Sequence, residues 1–202
     1  MVEKILENAT ELFVQQGFKV VTMDDIASSM GISKKTIYQY YENKNILVEK
    51  SAQHVARKIS AEIDQIYSEQ GNPIEEILLV KNKIAHFFSN EKTAGVQQLK
   101  KYYPEIHNRI KDTQRSKMEV YARNNIERGI KLGLFRDDLD ISFTIKLNHN
   151  AVSFILDGNE LSDTEKGFNY YQNTYIDYHI RAIGTEKGIK LLNELKQKLH
   201  EK

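Results

Sequence analysis

The chain has 202 residues, 40% of them hydrophobic, a formal net charge of +1 and no cysteine. The lack of cysteine excludes disulfides, thiolate chemistry and a cysteine-ligated zinc site. Two prolines and ten glycines suit an all-α protein with a buried core better than one built from many strands and turns. The sequence contains no run of about 18 apolar residues and no signal-peptide pattern at its start. We therefore expect a cytoplasmic protein with no membrane partner.

The first predicted helix runs from Val2 to Gln16. Apolar residues recur at helical spacing on one face of it, and Gly17 is placed to end it. That face consists of Ile5, Leu6, Ala9, Leu12 and Phe13. We expect this helix to be the scaffold of a three-helix unit completed by the next two helices.

The stretch TMDDIASSMGISKKTIYQYYENKNIL predicts two short helices joined by a glycine turn. Thr22 and Asp25 have the spacing of a capping box at the start of the first helix. Gly31 is placed to end that helix, because glycine adopts a positive φ without a steric penalty. Ser33 is a natural N-cap for a second helix over Lys34–Tyr40. The pattern is that of a helix-turn-helix.

The charge of the second helix favours binding to an anion. Its first turn carries Lys34, Lys35 and Thr36, and residues 31–41 contain no acid. Because a helix N-terminus already presents free amides, basic residues there attract negative groups. The net charge of +1 does not exclude nucleic acid, since local charge decides binding and the nearby acids, such as Asp24, fall outside this helix.

At these residues the chain resembles a known family. The tract GISKKTIYQYYENKNIL is similar to the end of the DNA-binding domain of TetR-family transcriptional regulators, usually G-[VI]-S-x-x-[TS]-[LI]-Y-x-[YH]-F-x-[SN]-K-x-x-L. Tyr41 departs from that form, because it stands where the family usually has phenylalanine, and its added hydroxyl needs a partner. A weaker match, GIKLGLFRDDLD over residues 129–140, resembles the loop between the family's seventh and eighth helices.

The resemblance implies a set of DNA-contacting residues, which are Lys34, Lys35, Thr36, Tyr38, Gln39, Tyr40 and Lys44. Tyr38, Tyr40 and Lys44 would hold phosphates. Lys35, Thr36 and Gln39 would reach base edges in the major groove, and Lys34 could do either. The alternative is that these side chains only form an exposed polar face.

Further helices are predicted to the end of the chain, with Asn43, Asn72, Asp140 and a Ser162–Glu165 capping box as start signals. They run from Lys44 to about Tyr67, from Pro73 to Phe88, from Val96 to Tyr103, from Pro104 to Leu132, from Asp140 to Leu156, from Ser162 to about Ile183, and from Thr185 onward. The fold class is thus all-α, with about nine or ten helices. We divide it into a helix-turn-helix DNA-binding domain, residues 1–47, and a ligand-binding and dimerisation domain, residues 48–202.

The C-terminal part carries many phenols beside polar residues on neighbouring predicted helices. This composition suits a pocket for an amphipathic small molecule, and the resemblance points the same way. The predicted lining consists of Tyr103, Tyr121, Asn125, His149 and Tyr171. For each of them, a role in packing alone is the alternative.

Nothing in the sequence predicts catalysis. The six histidines lack metal-ligand spacing, and no Gly-rich phosphate loop, G-x-S-x-G or HExxH motif occurs. We therefore expect no catalytic residue, metal or cofactor.

The sequence favours a DNA-binding transcriptional regulator, a repressor that a small-molecule effector releases from its operator. The family's usual interface implies a homodimer formed by the helices 140–156 and 162–183, with a near-palindromic duplex operator. Two alternatives remain open: a DNA-binding protein whose C-terminal half only dimerises or recruits a partner, and an enzyme with an accessory DNA-binding domain.

Overall fold

The computed structural model describes residues 1–87, 93–157 and 166–200. Within these residues the chain forms ten α-helices, and the only β-type pairing is an isolated antiparallel bridge between Phe135 and Gly184. The prediction of an all-α fold is confirmed. None of the described helices is long and apolar enough to cross a membrane. The helices are α1 (Val2–Gln16), α2 (Met23–Met30), α3 (Lys34–Tyr38), α4 (Lys44–Ser68), α5 (Pro73–Phe87), α6 (Thr93–Tyr102), α7 (Pro104–Lys131), α8 (Ile141–Asp157), α9 (Phe168–Ile183) and α10 (Glu186–His200).

The helix-turn-helix has the caps that its sequence predicts. The Thr22 backbone N–H donates to the Asp25 carboxylate at 2.8 Å, and the Asp25 N–H donates back to Thr22 Oγ1 at 3.2 Å, which completes the capping box. Gly31 ends α2 in the left-handed region with φ 64°. Ser33 Oγ accepts the Thr36 N–H at 3.1 Å and starts α3. The turn between the helices therefore follows from local side-chain chemistry.

Three later helices also start at predicted asparagine or aspartate caps. Asn43 Oδ1 accepts the Ile46 N–H at 3.0 Å, Asn72 Oδ1 accepts the Ile74 N–H at 3.0 Å, and Asp140 Oδ1 accepts the Phe143 N–H at 3.0 Å. These contacts fix the starts of α4, α5 and α8.

Several helix boundaries differ from the prediction, and α6, for example, begins at Thr93 and not at Val96. Helix α3 ends at Tyr38 and not at Tyr40, because the Tyr40 N–H bonds to the Ile37 carbonyl three residues back and tightens the last turn. Helix α9 begins at Phe168 after Gly167. The predicted start of α9 at Ser162, its partner Glu165 and the predicted end of α5 at Phe88 lie outside the described residues.

The chain divides into two compact units. Unit 1 comprises Met1–Ala61 and Phe88–Gln114, and unit 2 comprises Glu62–Phe87 and Arg115–Lys202. The core of unit 1 includes Ile5, Phe13, Ile26, Ile37, Leu47, Leu99 and Ile106. The core of unit 2 includes Ile74, Leu78, Leu134, Phe135, Ile176, Ile180, Ile183 and Leu192. Helices α4 and α7 each contain residues of both units. The predicted domain boundary after residue 47 stays a prediction.

The loop between α7 and α8 is packed closely against two glycines. A Cβ added to Gly129 would lie 2.0 Å from the Phe135 ring, and a Cβ added to Gly188 would lie 2.1 Å from the Leu134 carbonyl oxygen. Thr185 donates its backbone N–H to the same Leu134 carbonyl at 3.0 Å. The loop therefore needs glycine at both positions to approach α7 and α10.

Candidate nucleic-acid interface and effector region

Helix α3 presents the predicted DNA-contacting side chains on its outer face. Ile37 is fully buried in the core of unit 1 and fixes the rotation of the helix. Tyr38 is 43% exposed and Tyr40 is 45% exposed, and Lys35 and Gln39 are exposed as well. Free phenols and polar groups beside a buried anchor can contact a partner without disturbing the core.

Two predicted contact residues are partly engaged within the protein. Thr36 is half-buried, and its Oγ1 lies 2.8 Å from Ser33 Oγ. Lys34 Nζ forms an exposed ion pair with Asp24 at 2.7 Å, and the hydrogen bond from this ammonium to Asp24 raises the Lys34 pKa. A solvent-exposed ion pair is weak, so a phosphate can replace the carboxylate.

Lys44 turns its ammonium toward unit 1. Its Nζ donates to the Lys19 carbonyl oxygen at 3.1 Å and lies 5.9 Å from the Phe13 ring centroid. Burial lowers the Lys44 pKa, nearby Lys19 lowers it further, and Asp25 opposes both effects. An ammonium group has three donors, so two remain after the bond to Lys19.

The hydroxyl of Tyr41 forms a hydrogen bond within the protein. It donates to the Val2 carbonyl oxygen at 3.2 Å, and the residue is only 5% exposed. Burial raises the Tyr41 pKa, and Glu3 adds to the effect. Tyr41 is therefore a core residue that ties the end of the helix-turn-helix to the start of α1.

The residues predicted to line an effector pocket do not all come together. Tyr103 packs on the core of unit 1, and its hydroxyl makes a long 3.5 Å contact with the Phe18 carbonyl oxygen. The other four belong to unit 2. Tyr121 and Asn125 lie one turn apart on α7, and the half-buried His149 and Tyr171 lie on α8 and α9.

Tyr121 is part of a polar and aromatic cluster with α4. Its ring stacks on Tyr67 with centroids 4.4 Å apart, and its hydroxyl donates to Asp64 at 2.7 Å. Lys117 Nζ pairs with the same carboxylate at 2.5 Å. Burial has the largest single effect on the Asp64 pKa and raises it, but the hydrogen bonds from Lys117 and Tyr121 and the charge of Lys117 together outweigh it and lower the pKa. The bond to Asp64 raises the Tyr121 pKa to about 12.

Asn125 belongs to a buried network that the sequence did not reveal. Its Nδ2 donates to the Pro73 carbonyl at 2.9 Å and to Glu76 Oε2 at 2.8 Å. Arg128 donates to Glu76 Oε1 at 2.8 Å and also to the Gly71 carbonyl. Glu76 lies in the first turn of α5, where an acid favours the helix start, yet it is 1% exposed. The three-residue spacing of Asn125 and Arg128, which places both on one face of α7, was the sequence feature that could have indicated this network.

Other polar contacts join α8 to α9. The Tyr175 hydroxyl donates to Asn148 at 2.9 Å, and burial raises the Tyr175 pKa to about 12. His179 stacks on Tyr175 with centroids 5.7 Å apart, and burial lowers its pKa to about 4. A separate surface depression of about 440 Å³ beside Arg136 and Thr185 contains none of the predicted lining residues.

Helices α8 and α9 leave large apolar side chains exposed. On α8, Phe143 is 62%, Leu147 54% and Phe154 45% exposed, and on α9, Tyr170 and Tyr178 are exposed as well. The three α8 residues recur at helical spacing, so they form one stripe. Such a stripe is typical of a surface that another molecule covers.

Comparison with known proteins agrees with this geometry. Residues 5–50 match the family model described as bacterial regulatory proteins, tetR family. The chain is 26% identical over 170 residues to the uncharacterized HTH-type transcriptional regulator YdeS of Bacillus subtilis (strain 168), covering 79% of this chain and 81% of the relative. It is 39% identical over 54 residues to IcaR of Staphylococcus epidermidis, a negative regulator of the biofilm operon icaADBC, covering 27% of this chain and 29% of the relative.

A solved structure shows the same fold over most of the chain. The transcriptional regulator FadR from Bacillus subtilis, in complex with stearoyl-CoA, superposes with a TM-score of 0.62 at 16% identity and covers 91% of this chain and 100% of that chain. The capped α2, the glycine turn and the outward-facing α3 define a helix-turn-helix DNA-binding protein. The helix-turn-helix lies within residues 5–50, which match the tetR family of bacterial regulatory proteins, and most of the chain is similar to an HTH-type transcriptional regulator.

Proposed function

We propose that this protein is a repressor that binds a near-palindromic duplex operator as a homodimer and is released by a small, partly apolar effector. It acts by binding and not by catalysis. The observation that carries the proposal is the outer face of α3, where exposed Tyr38, Gln39 and Tyr40 surround a helix anchored by the buried Ile37. The name of IcaR as a negative regulator favours repression.

The DNA contacts divide into two roles. Lys35, Thr36 and Gln39 read base edges in the major groove, because they lie on or directly after the short helix that would enter it. Phosphates are held by the phenols of Tyr38 and Tyr40 and by the ammonium of Lys44. Lys34 can leave Asp24 and bind either a base edge or a phosphate.

Binding-site selection from random duplexes, followed by alanine substitutions, tests this division. Lys35→Ala and Gln39→Ala should each relax the preference at particular base pairs, at a cost of about 1–3 kcal/mol. Tyr38→Ala and Lys44→Ala should weaken binding to every sequence, and Lys44→Ala should reduce the salt slope by about one. Lys58→Ala, at an exposed position of α4, is the matched control. Unchanged affinity and preference across the series would place the DNA contact elsewhere.

The homodimer is proposed to form through α8 and α9. The stripe of Phe143, Leu147 and Phe154 offers an apolar surface that a second copy can cover by two-fold symmetry. Two recognition helices about 34–36 Å apart would then enter successive major grooves. Leu147→Glu should produce monomers in sedimentation and abolish tight operator binding, whereas the control Lys190→Glu on α10 should do neither. A wild-type monomer at micromolar concentration would contradict the proposal.

The effector site is proposed to lie in unit 2, among α5, the second half of α7, α8 and α9. Tyr121, Asn125, His149 and Tyr171 are its proposed lining, and the placement of Tyr103 on the core of unit 1 favours a packing role for that residue. FadR is named as a complex with stearoyl-CoA, which supports a partly apolar ligand for a protein of this fold. Helices α4 and α7, which contain residues of both units, are the proposed route of coupling.

Thermodynamic linkage between effector binding and DNA binding provides a test of whether an effector releases the protein from its operator. A ligand shifts DNA binding only by its differential affinity for the two states, usually about 1–3 kcal/mol, and DNA must lower ligand affinity by the same factor. Mass spectrometry of small molecules that copurify with the protein would supply candidates. A candidate effector should be titrated into wild type and into Tyr121→Ala, with and without operator DNA. The effector should bind more weakly when the operator is present. Equal affinity in both conditions would refute release, even if the site exists.

A further inference from the structure

Unit 1 carries a basic and aromatic cluster outside the helix-turn-helix, formed by Lys19, Lys101 and Tyr102. The ammonium of Lys19 lies 5.3 Å and that of Lys101 lies 5.4 Å from the centroid of the same Tyr102 ring. All three residues are exposed, with Tyr102 43% accessible. The lysines come from distant parts of the sequence, the α1–α2 loop and the end of α6.

The two ammonium groups lie near enough to one ring to act on the same anion. Each ammonium lies within 5.4 Å of the Tyr102 ring centroid, so the distance between the two charges cannot exceed the sum of their distances to that centroid. A separation of this order is comparable to the ~8 Å Debye length of physiological salt, so the two charges still repel each other. Within the described part of the chain, no Asp or Glu forms an ion pair with either lysine. An anion placed beside the phenol would therefore be attracted by both charges.

The backbone that carries this cluster is held in place. The Lys19 N–H donates to Gln98 Oε1 of α6 at 3.0 Å, and the adjacent Phe18 ring stacks on Phe13 with centroids 5.2 Å apart. The two lysines are thus presented by a packed loop and a helix end. A fixed backbone reduces the entropy that would be lost when an anion binds.

The cluster is continuous with a residue already assigned to DNA. The ammonium of Lys44 donates to the carbonyl oxygen of Lys19 at 3.1 Å. Lys44, Lys19 and Lys101 therefore form a basic track on unit 1, and Asp25, the acid whose charge acts on Lys44, has its carboxylate engaged by Thr22. A track of cations matches a partner with regularly spaced negative charges, and duplex DNA carries one charge per ~1.7 Å of its axis.

We propose that Lys19 and Lys101, with the Tyr102 hydroxyl, hold phosphates of the operator flank, outside the base pairs that α3 reads. This proposal rests on the DNA binding proposed above. These contacts extend the footprint of each half-site and add affinity without adding sequence preference, because phosphate contacts carry no base information.

Two duplexes of different length test the proposal. Both contain the site recovered by selection from random DNA, one trimmed to the contacted base pairs and one with about ten extra base pairs, one helical turn, on each side. On the long duplex, Lys19→Gln and Lys101→Gln should each reduce the salt slope by about one and lower affinity about threefold at moderate salt. On the trimmed duplex, both variants should bind like wild type, and the selected sequence should not change.

Control variants keep the outcomes distinct. Lys190→Gln removes one positive charge from α10 of unit 2 and should leave both duplexes unaffected. If wild type binds the long duplex but the Lys19→Gln/Lys101→Gln double variant keeps the full salt slope, the flank contact is refuted and the proposed DNA binding stands. Equal losses on both duplexes would also refute it, because the contacts would then lie inside the selected site. If wild type binds no duplex, the proposed function itself fails.

Discussion

The carboxylate of Glu76, in the first turn of α5, accepts a hydrogen bond from the guanidinium of Arg128, near the end of α7, at 2.8 Å. The side chain of Glu76 is 2% exposed and that of Arg128 is 26% exposed. Asn125 occupies the second carboxylate oxygen at 2.8 Å. A buried charge with both oxygens satisfied joins two helices that are distant in sequence.

Removal of the arginine alone should be costly. Arg128→Met leaves the Glu76 carboxylate buried without its cation, which should reduce the free energy of unfolding by about 3–5 kcal/mol in denaturant titrations. The Glu76→Gln/Arg128→Met double variant should recover most of that loss, because no unpaired charge remains. Lys83→Met, which breaks the exposed pair with Glu62, is the control and should change stability little. A loss in the double variant as large as in Arg128→Met would contradict the buried-charge explanation.

A methyl group at position 188 should destabilise the loop that precedes α8. Gly188→Ala places its Cβ 2.1 Å from the Leu134 carbonyl oxygen, where the backbone must move. Overpacking of this kind costs about 1–3 kcal/mol, to be measured by chemical denaturation. Gly71→Ala is the matched control, since a Cβ there meets nothing within 4 Å. Equal stability of the two variants would show that the loop is not packed as described.

His179 should make stability depend on pH in a defined window. Burial lowers its pKa in the folded protein from 6.5 to about 4, so between these values the unfolded chain binds more protons. The contribution of His179 to the free energy of unfolding is therefore fully present above about pH 6.5 and is lost as the pH falls toward 4. Over the whole window the loss is about 3 kcal/mol. His179→Phe should flatten the pH profile of the unfolding free energy there, whereas the control His107→Gln should keep it. A His179→Phe profile identical to that of wild type would rule out this origin.

Tyr41→Phe should affect stability and not DNA binding. The variant restores the ring that TetR-family proteins usually have but loses the hydrogen bond to the Val2 carbonyl. One such bond contributes about 0.5–1.5 kcal/mol, so the unfolding free energy should fall by that amount. Operator affinity, measured by fluorescence anisotropy, should remain at the wild-type level because Tyr41 is buried. A Tyr38→Phe variant tests the exposed phenol in parallel, and weaker binding by Tyr41→Phe alone would reverse the assigned roles.

The sequence predicted most helix starts because they depend on nearby atoms. Thr22 with Asp25, Ser33, Asn43 and Asp140 each cap a helix through groups within three residues. Such contacts form wherever the local sequence permits them. The Tyr41 side chain was likewise expected to need a partner, but its identity as the carbonyl of Val2 required the fold.

Features that depend on distant contacts were not predictable. Glu76 looks like an ordinary helix-start acid, and only the approach of α7, 49 to 52 residues away, buries it. The packing neighbours of Tyr103 were not predictable for the same reason, because they come from the beginning of the chain. A single sequence contains the periodicity of a helix but not the identity of the helix that packs against it.

The core of unit 1 draws on two stretches of chain, since Leu99 and Ile106 pack in the same cluster as Ile5 and Phe13. During synthesis, the ribosome must therefore complete α6 and the start of α7 before the helix-turn-helix can bury its scaffold fully. The same feature governs the construction of chimaeric regulators. A graft of residues 1–47 onto a foreign effector domain would cut through one hydrophobic core, so the donor domain must supply apolar residues where Leu99 and Ile106 now lie.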